Sequence, residues 1–174
     1  MNNEEIINKL LESREERALL QEKIIAKYNN PIISFTLNIP GHIKDSPKFR
    51  MIHDLGMDII SSELKDNNLD IKYVKKMNKS TGPEGFFSVE IDPMELKKIT
   101  TNIENQFTLG RIFDIDIFDS NFKQISRLDL GLEARKCLIC EKNAKECSRE
   151  RTHELSDLLE KIDKLYNQYF IEEI

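Results

Sequence analysis

The chain has 174 residues, long enough for one domain with a sizeable core. Hydrophobic residues make up 39%, charged residues 33%, and the net charge is −5, which suits a soluble globular protein and argues against a general nucleic-acid binder, normally basic. The acidic start Met1-Asn2-Asn3-Glu4-Glu5 is no signal peptide, no apolar run nears membrane-spanning length, and three clustered cysteines make no secreted disulfide framework, so a cytoplasmic protein without a membrane partner is expected.

Residues 3–28 read as a helix, with Ile6, Ile7, Leu10, Leu11, Leu20, Ile24 and Ile25 near a 3.6-residue period and no Gly or Pro. Arg14, Arg17 and Gln21 fall at i, i+3 and i+7, one face carrying two guanidiniums and an amide, either solvated or turned to an anion. Asn29-Asn30-Pro31 stops the helix and residues 32–39 read as a strand. A loop through Gly41 and Lys44 leads to Ser46, a candidate cap, and Pro47, the first position of a helix to about Lys65. Such a loop is an ordinary strand-to-helix turn or a cradle whose N–H groups meet phosphate, with Lys44 adding charge.

Residues 69–76 alternate as a strand, residues 78–85 read as a loop containing Thr81-Gly82-Pro83-Glu84-Gly85, and residues 86–91 read as another strand. Asp92-Pro93 opens a helix to about Gln106. Gly110–Phe118 reads as a strand, followed by a turn at Asp119-Ser120-Asn121, a short strand over 123–125, and a last helix from about Thr152 to Phe170. From 32 to 118 the order is β-α-β-β-α-β. The expected class is therefore α+β: a split βαβ, ferredoxin-like antiparallel sheet with added terminal helices, the alternative being a nucleotidyltransferase-like palm. One domain over 1–174 is expected, divided into a helix at 3–28, a sheet core at 32–126 and a Cys/Arg-rich segment with the final helix at 127–174.

Within Gly110–Phe118 the run Phe113-Asp114-Ile115-Asp116-Ile117 alternates, placing Asp114 and Asp116 on one face and the apolar residues on the other. Two carboxylates about 6.5–7 Å apart along a strand can share or bridge Mg²⁺, as phosphoryl and nucleotidyl transfer require. They are equally two solvated aspartates of an edge strand. Cys137-x2-Cys140, Cys147 and His153 supply four ligands of the types a structural zinc takes, or three reduced thiols packed against the last helix. Arg127, Arg135, Arg149 and Arg151 surround them, and guanidinium forks match phosphate.

Several segments in this order resemble the apo-citrate lyase phosphoribosyl-dephospho-CoA transferases, also called holo-citrate lyase synthases. They are Arg14-Glu15-Glu16-Arg17 with Gln21, Ser34 through Lys44, Thr81-Gly82-Pro83-Glu84, Gly110 through Asp116, Ser126-Arg127-x-Asp129-Leu130-Gly131-Leu132, and Arg135 through Cys147 to His153. One departure is Phe107-Thr108-Leu109, where the family carries His-Pro-Leu before the Gly-Arg. The resemblance implies transfer of a phosphoribosyl-dephospho-CoA group from 2′-(5″-triphosphoribosyl)-3′-dephospho-CoA to a serine of the citrate lyase acyl-carrier (gamma) subunit, with release of diphosphate. By matching position Asp114 and Asp116 would be the catalytic, Mg²⁺-binding pair. Arg111, Arg127, Lys44 and Gly41 are the phosphate-binding candidates, with Arg14, Arg17 and Arg135 beside them and Glu84 as a third carboxylate. The rival readings are a zinc-stabilised module that binds a nucleotide or carrier protein without turnover, and a metal-dependent phosphodiesterase.

Overall fold

The structure, a computed structural model, describes residues 3–172. In chain order the elements are α1 (Asn3–Tyr28), β1 (Ile32–Leu37), α2 (Pro47–Asp66), β2 (Ile71–Lys79), β3 (Gly82–Val89), α3 (Pro93–Gln106), β4 (Phe113–Phe118), β5 (Gln124–Ile125), α4 (Ala144–Glu150) and α5 (Leu155–Asn167). The five strands form one open antiparallel sheet in the order β2-β3-β1-β4-β5. β1 is central and runs beside β4, with Ser34 opposite Asp116 and Thr36 opposite Asp114. The loop leaving β1 therefore meets the acidic strand.

Strand alternation divides the core between the two faces of the sheet. Ile33, Phe35, Phe87, Phe113 and Ile115 pack with Ile52 and Ile60 of α2 and Leu96 and Ile103 of α3. On the opposite face Ile32 and Phe86 pack with Ile24 and Ile25 of α1. Local signals fix the helix starts. The Ser46 hydroxyl accepts from the Phe49 amide with Pro47 in the first turn, and the Asp92 carboxylate accepts from the amides of Met94 and Glu95 ahead of Pro93.

The expected helix 3–28 is α1, whose apolar stripe is buried only toward its end, while Ile7, Leu11 and Leu19 are exposed and Ser13 and Gln21 are buried. Three expectations are revised. The segment from Gly82 to Gly85 is strand, not loop: β2 and β3 turn over only at Ser80-Thr81, and Gly82–Gly85 pair with Lys79–Lys76. Residues Thr108–Arg111 form a 3-10 turn before β4 rather than its beginning. The reason is close approach: a Cβ on Gly110 would lie 2.6 Å from the Ile103 carbonyl at the end of α3, so the chain must round that helix before extending. Finally, α4 precedes the last helix, and α5 starts at Leu155. Among the described residues no helix is long and apolar enough to cross a membrane.

Candidate active site and metal centre

The half-exposed face of β4 carries Asp114 and Asp116, and the apolar partners Phe113, Ile115 and Ile117 are buried behind them. Asp114 receives the Thr36 hydroxyl at 3.4 Å, and Asp116 accepts from the Gln124 amide at 2.7 Å. Burial, and then the neighbouring Asp114 charge, hold the Asp116 carboxyl above the usual carboxylate range. A like-charge pair of hard oxygen donors on a strand suits a divalent cation, which would relieve that repulsion.

α1 lies on the same face of the sheet as these carboxylates. Gln21 donates to the Ser34 hydroxyl at 2.8 Å, which anchors the helix over β1. One turn earlier Arg17 stands 3.7 Å from the buried carboxylate of Glu84, which also pairs with Lys79 at 3.1 Å and meets the Ser13 hydroxyl. Ser13 in turn bonds Thr81 at 2.8 Å, so helix and hairpin are tied together. Lys44 donates to the Ile39 carbonyl within its own loop. Burial, and then the positive charge of Arg14, hold the Lys44 ammonium below its ordinary range. Gly82, at φ +110°, lets the hairpin approach the Lys44 backbone, where a Cβ would sit 3.2 Å from the carbonyl oxygen.

Together these elements enclose a polar cavity of about 200 Å³ lined by Arg14, Arg17, Thr36, Lys44, Glu84 and Asp114, among others. Five of the residues singled out from the sequence thus converge from α1, the β1 loop, the hairpin and β4. Gly41 is not among the residues lining this cavity: its φ is +79°, and a Cβ there would lie 3.2 Å from the Leu155 side chain of α5.

Arg111, Arg127 and Arg135 line a second cavity of about 250 Å³, with Glu104, Glu133 and Lys136. Their immediate partners are protein groups. Arg127 and Arg135 each donate at 2.5 Å to the two oxygens of Glu104, a residue only 3% exposed. Arg111 donates to the Cys137 carbonyl at 2.6 Å. Among the described residues no strand pairs with the outer edge of the first residues of β4, and side chains take its place. Arg135 donates to the Phe113 carbonyl at 2.7 Å, Glu104 accepts from the Ile115 amide at 3.3 Å, and the buried Lys97 donates to the Ile115 carbonyl at 2.8 Å. Sequence reading passes over Glu104, Lys97, Ser13 and Thr36. A carboxylate and an ammonium among the inward positions of α3 were the available sign, because such charges are buried only when paired.

Cys137, Cys140, Cys147 and His153 are gathered with their ligand atoms all within 4.8 Å of one another. Cys140 Sγ lies 3.5 Å from Cys147 Sγ and 3.3 Å from His153 Nε2. Ligands about 2.0–2.3 Å from one tetrahedral ion are separated by comparable distances, so the four residues could hold a metal such as zinc. Burial, and then Cys140 beside it, push the Cys147 thiol up to about 11, a cost a cation would reverse.

The profile of the family described as apo-citrate lyase phosphoribosyl-dephospho-CoA transferase matches residues 5–169. The chain belongs to that family. It is 38% identical over 159 residues to the apo-citrate lyase phosphoribosyl-dephospho-CoA transferase of Citrobacter koseri, covering 91% of this chain and 87% of that protein. Proteins of the same name from Shigella boydii and Escherichia coli O157:H7 are 35% identical over 161 residues, covering 92% of this chain and 88% of theirs. Membership makes the chain an enzyme of the transferase class, in the maturation of citrate lyase. The family name itself speaks of apo-citrate lyase as acceptor and of a dephospho-CoA derivative as the transferred group.

Proposed function

We propose that this transferase moves the phosphoribosyl-dephospho-CoA group from 2′-(5″-triphosphoribosyl)-3′-dephospho-CoA onto a serine of the apo-citrate lyase acyl-carrier (gamma) subunit, releasing diphosphate. The carrying observation is the convergence of Arg14, Arg17 and Lys44 on the strand that bears Asp114 and Asp116. The serine oxygen forms a bond to the first phosphorus of the triphosphate, the bond to the bridging oxygen of the diphosphate breaks, and the hydroxyl proton is lost to solvent or a nearby carboxylate. Asp114 and Asp116 would hold Mg²⁺, which supplies neutralisation of polyphosphate charge when bound. Arg14, Arg17 and Lys44 orient the anion and offset charge on the leaving diphosphate, through hydrogen bonds that are strong because the donors are ionised. Glu84, held by Arg17 and Lys79, keeps Arg17 in place in the Asp114 cavity.

Cys137, Cys140, Cys147 and His153 hold one zinc, in a structural role, since four protein ligands leave no open position. The order β2-β3-β1-β4, with α2 and α3 on one face, supports the split βαβ reading of residues 32–118, and one transferase domain over the whole chain is consistent with it.

The test is incubation with the apo acyl-carrier subunit, triphosphoribosyl-dephospho-CoA and Mg²⁺, followed by intact mass. A mass gain of one phosphoribosyl-dephospho-CoA group with diphosphate release is expected. Hydrolysis of the donor that needs no acceptor would make the protein a phosphodiesterase, and binding without turnover would make it a docking module.

A further inference from the structure

Arg135, which lines the second cavity, reaches Asp114, which lines the first, at 3.9 Å. The second cavity has cations in excess: Arg111, Arg127, Arg135 and Lys136 line it against Glu104 and Glu133, and Glu141 pairs with Lys136 from outside at 2.7 Å, which leaves one net positive charge. That excess stands out in a chain of net charge −5. Glu104 spends both oxygens on Arg127 and Arg135, yet each guanidinium has five N–H donors, and among the described residues each uses only part of that set. The walls also include Leu132 and Ala134, which offer apolar contact next to the charges.

An anion in this concave site can take the remaining guanidinium donors without separating Arg127 and Arg135 from Glu104. A dephospho-CoA nucleotide carries a diphosphate between its adenosine and pantetheine halves, separate from any phosphates on an added ribose. Resting on the transferase reading above, we propose that the second cavity is a distinct anion site that holds the diphosphate of the dephospho-CoA moiety. The Asp114 cavity takes the reacting polyphosphate. One elongated donor then lies across the edge of β4, with Arg135 touching both ends of the arrangement.

The zinc-ligand segment builds one wall of this site. Lys136 precedes Cys137, Arg111 is held by the Cys137 carbonyl, and the Ala144 amide donates to the Arg135 carbonyl at 2.9 Å. The metal centre therefore sets the position of a binding surface as well as stabilising the chain.

Titration calorimetry with two probes tests the division: dephospho-CoA without Mg²⁺, and inorganic tripolyphosphate with Mg²⁺. Arg111 and Lys136 are the side chains to change, because both are exposed and neither is part of the buried Glu104 network. Arg111→Gln with Lys136→Ala should weaken dephospho-CoA at least about ten-fold, the cost of charge-assisted contacts, and leave tripolyphosphate within about two-fold. Arg14→Ala with Lys44→Ala should do the reverse. Circular dichroism and zinc content of each variant must match the parent protein. Unchanged dephospho-CoA affinity in the first variant overturns the proposal, as does equal loss of both probes in either variant, which would mean one common site. A higher KM for the carrier subunit with dephospho-CoA affinity intact also overturns it, assigning the cavity to an acidic face of the partner. Failure of the transferase reading is seen separately, as absence of mass gain in the parent protein whatever the calorimetry gives.

Discussion

Asp114 and Arg135 stand 3.9 Å apart across the open edge of β4, and each belongs to a different cavity. The contact is long, and Asp114 is about half exposed, so its own contribution to stability is small. Its importance is positional. The same guanidinium grips the Phe113 carbonyl and Glu104, so while β1 pairs with one edge of β4, the other edge at its start is held by groups from residues 97, 104 and 135.

The acidic pair should be required for transfer and costly to the fold. Asp114→Asn and Asp116→Asn keep volume and remove one negative charge each. Either change should reduce Mg²⁺-dependent transfer at least about a thousand-fold, as expected when stabilisation of several kcal/mol is lost from the transition state. The folded-state pKa of Asp116 is raised, so its ionised form opposes folding above the ordinary carboxylate range. Both variants should therefore melt no lower than the parent protein in metal-free buffer at pH 7. Substantial retained transfer, or a lowered melting temperature with lost transfer, would point to a structural role.

Chelation should separate the two metal roles. Protein purified without chelator should carry about one zinc, and Cys140→Ser should lose it. Removal should lower the melting temperature by roughly 5–10 °C, since each kcal/mol is worth about 2–4 °C at this chain length. Mg²⁺ should not restore it, because three thiolates and an imidazole are soft and borderline donors. Protein that is metal-free as isolated and unaltered by chelator would leave packed thiols.

How much of this was legible in the sequence depends on the range of the interactions. Ser46-Pro47 and Asp92-Pro93 announced their helices because a cap acts within three residues. The Asp114/Asp116 face was legible because strand alternation has period two. Thr81-Gly82-Pro83-Glu84-Gly85 resembled a loop since its composition is that of a turn, yet pairing with β2 and β1 makes most of it strand. Glu104 gave little sign of its role, because its partners Arg127 and Arg135 lie 23 and 31 residues away. The division of the arginines between two cavities was illegible for the same reason: it follows from where α1, the turn before β4 and the chain after β5 come to lie.

Glu104→Ala should be among the most damaging single changes in the molecule. It removes a nearly inaccessible carboxylate and leaves two guanidiniums and the Ile115 amide without their acceptor. Breaking a buried pair from one side costs about 3–5 kcal/mol, and the partial exposure of both arginines places this case near the lower figure. Glu104→Gln keeps one acceptor oxygen and should lose roughly half as much. Urea midpoints of the two variants, compared with the parent protein, check the order; equal midpoints for all three would show the network to be dispensable.

His53 should make the fold acid-sensitive. Its ring is fully buried and stacked on Phe35 with centroids 4.6 Å apart, and Nε2 lies 3.5 Å from the Phe35 carbonyl. Nδ1 has no hydrogen-bond partner among the described residues. Burial is the main cause that lowers the His53 pKa to about 4, against smaller upward contributions from the Phe35 carbonyl and Asp54 and a downward one from Lys76. In the unfolded chain the ring titrates near 6.5, so between about pH 6.5 and 4 the unfolded state binds the extra proton. Stability therefore falls as the pH drops through that window, and is unaffected by this group above it. The whole window is worth about 3 kcal/mol, from the 1.36 kcal/mol carried by each unit. His53→Leu replaces the ring by an apolar side chain that cannot take up the proton. At pH 7 it should lie within about 1.5 kcal/mol of the parent protein, a volume-conserving core change set against loss of an unpartnered nitrogen. At pH 4.5 the parent protein should have lost about 2–3 kcal/mol through His53 that the variant has kept. Urea unfolding of both proteins at the two pH values measures this difference directly, and equal acid losses would show that His53 is not the source of the sensitivity.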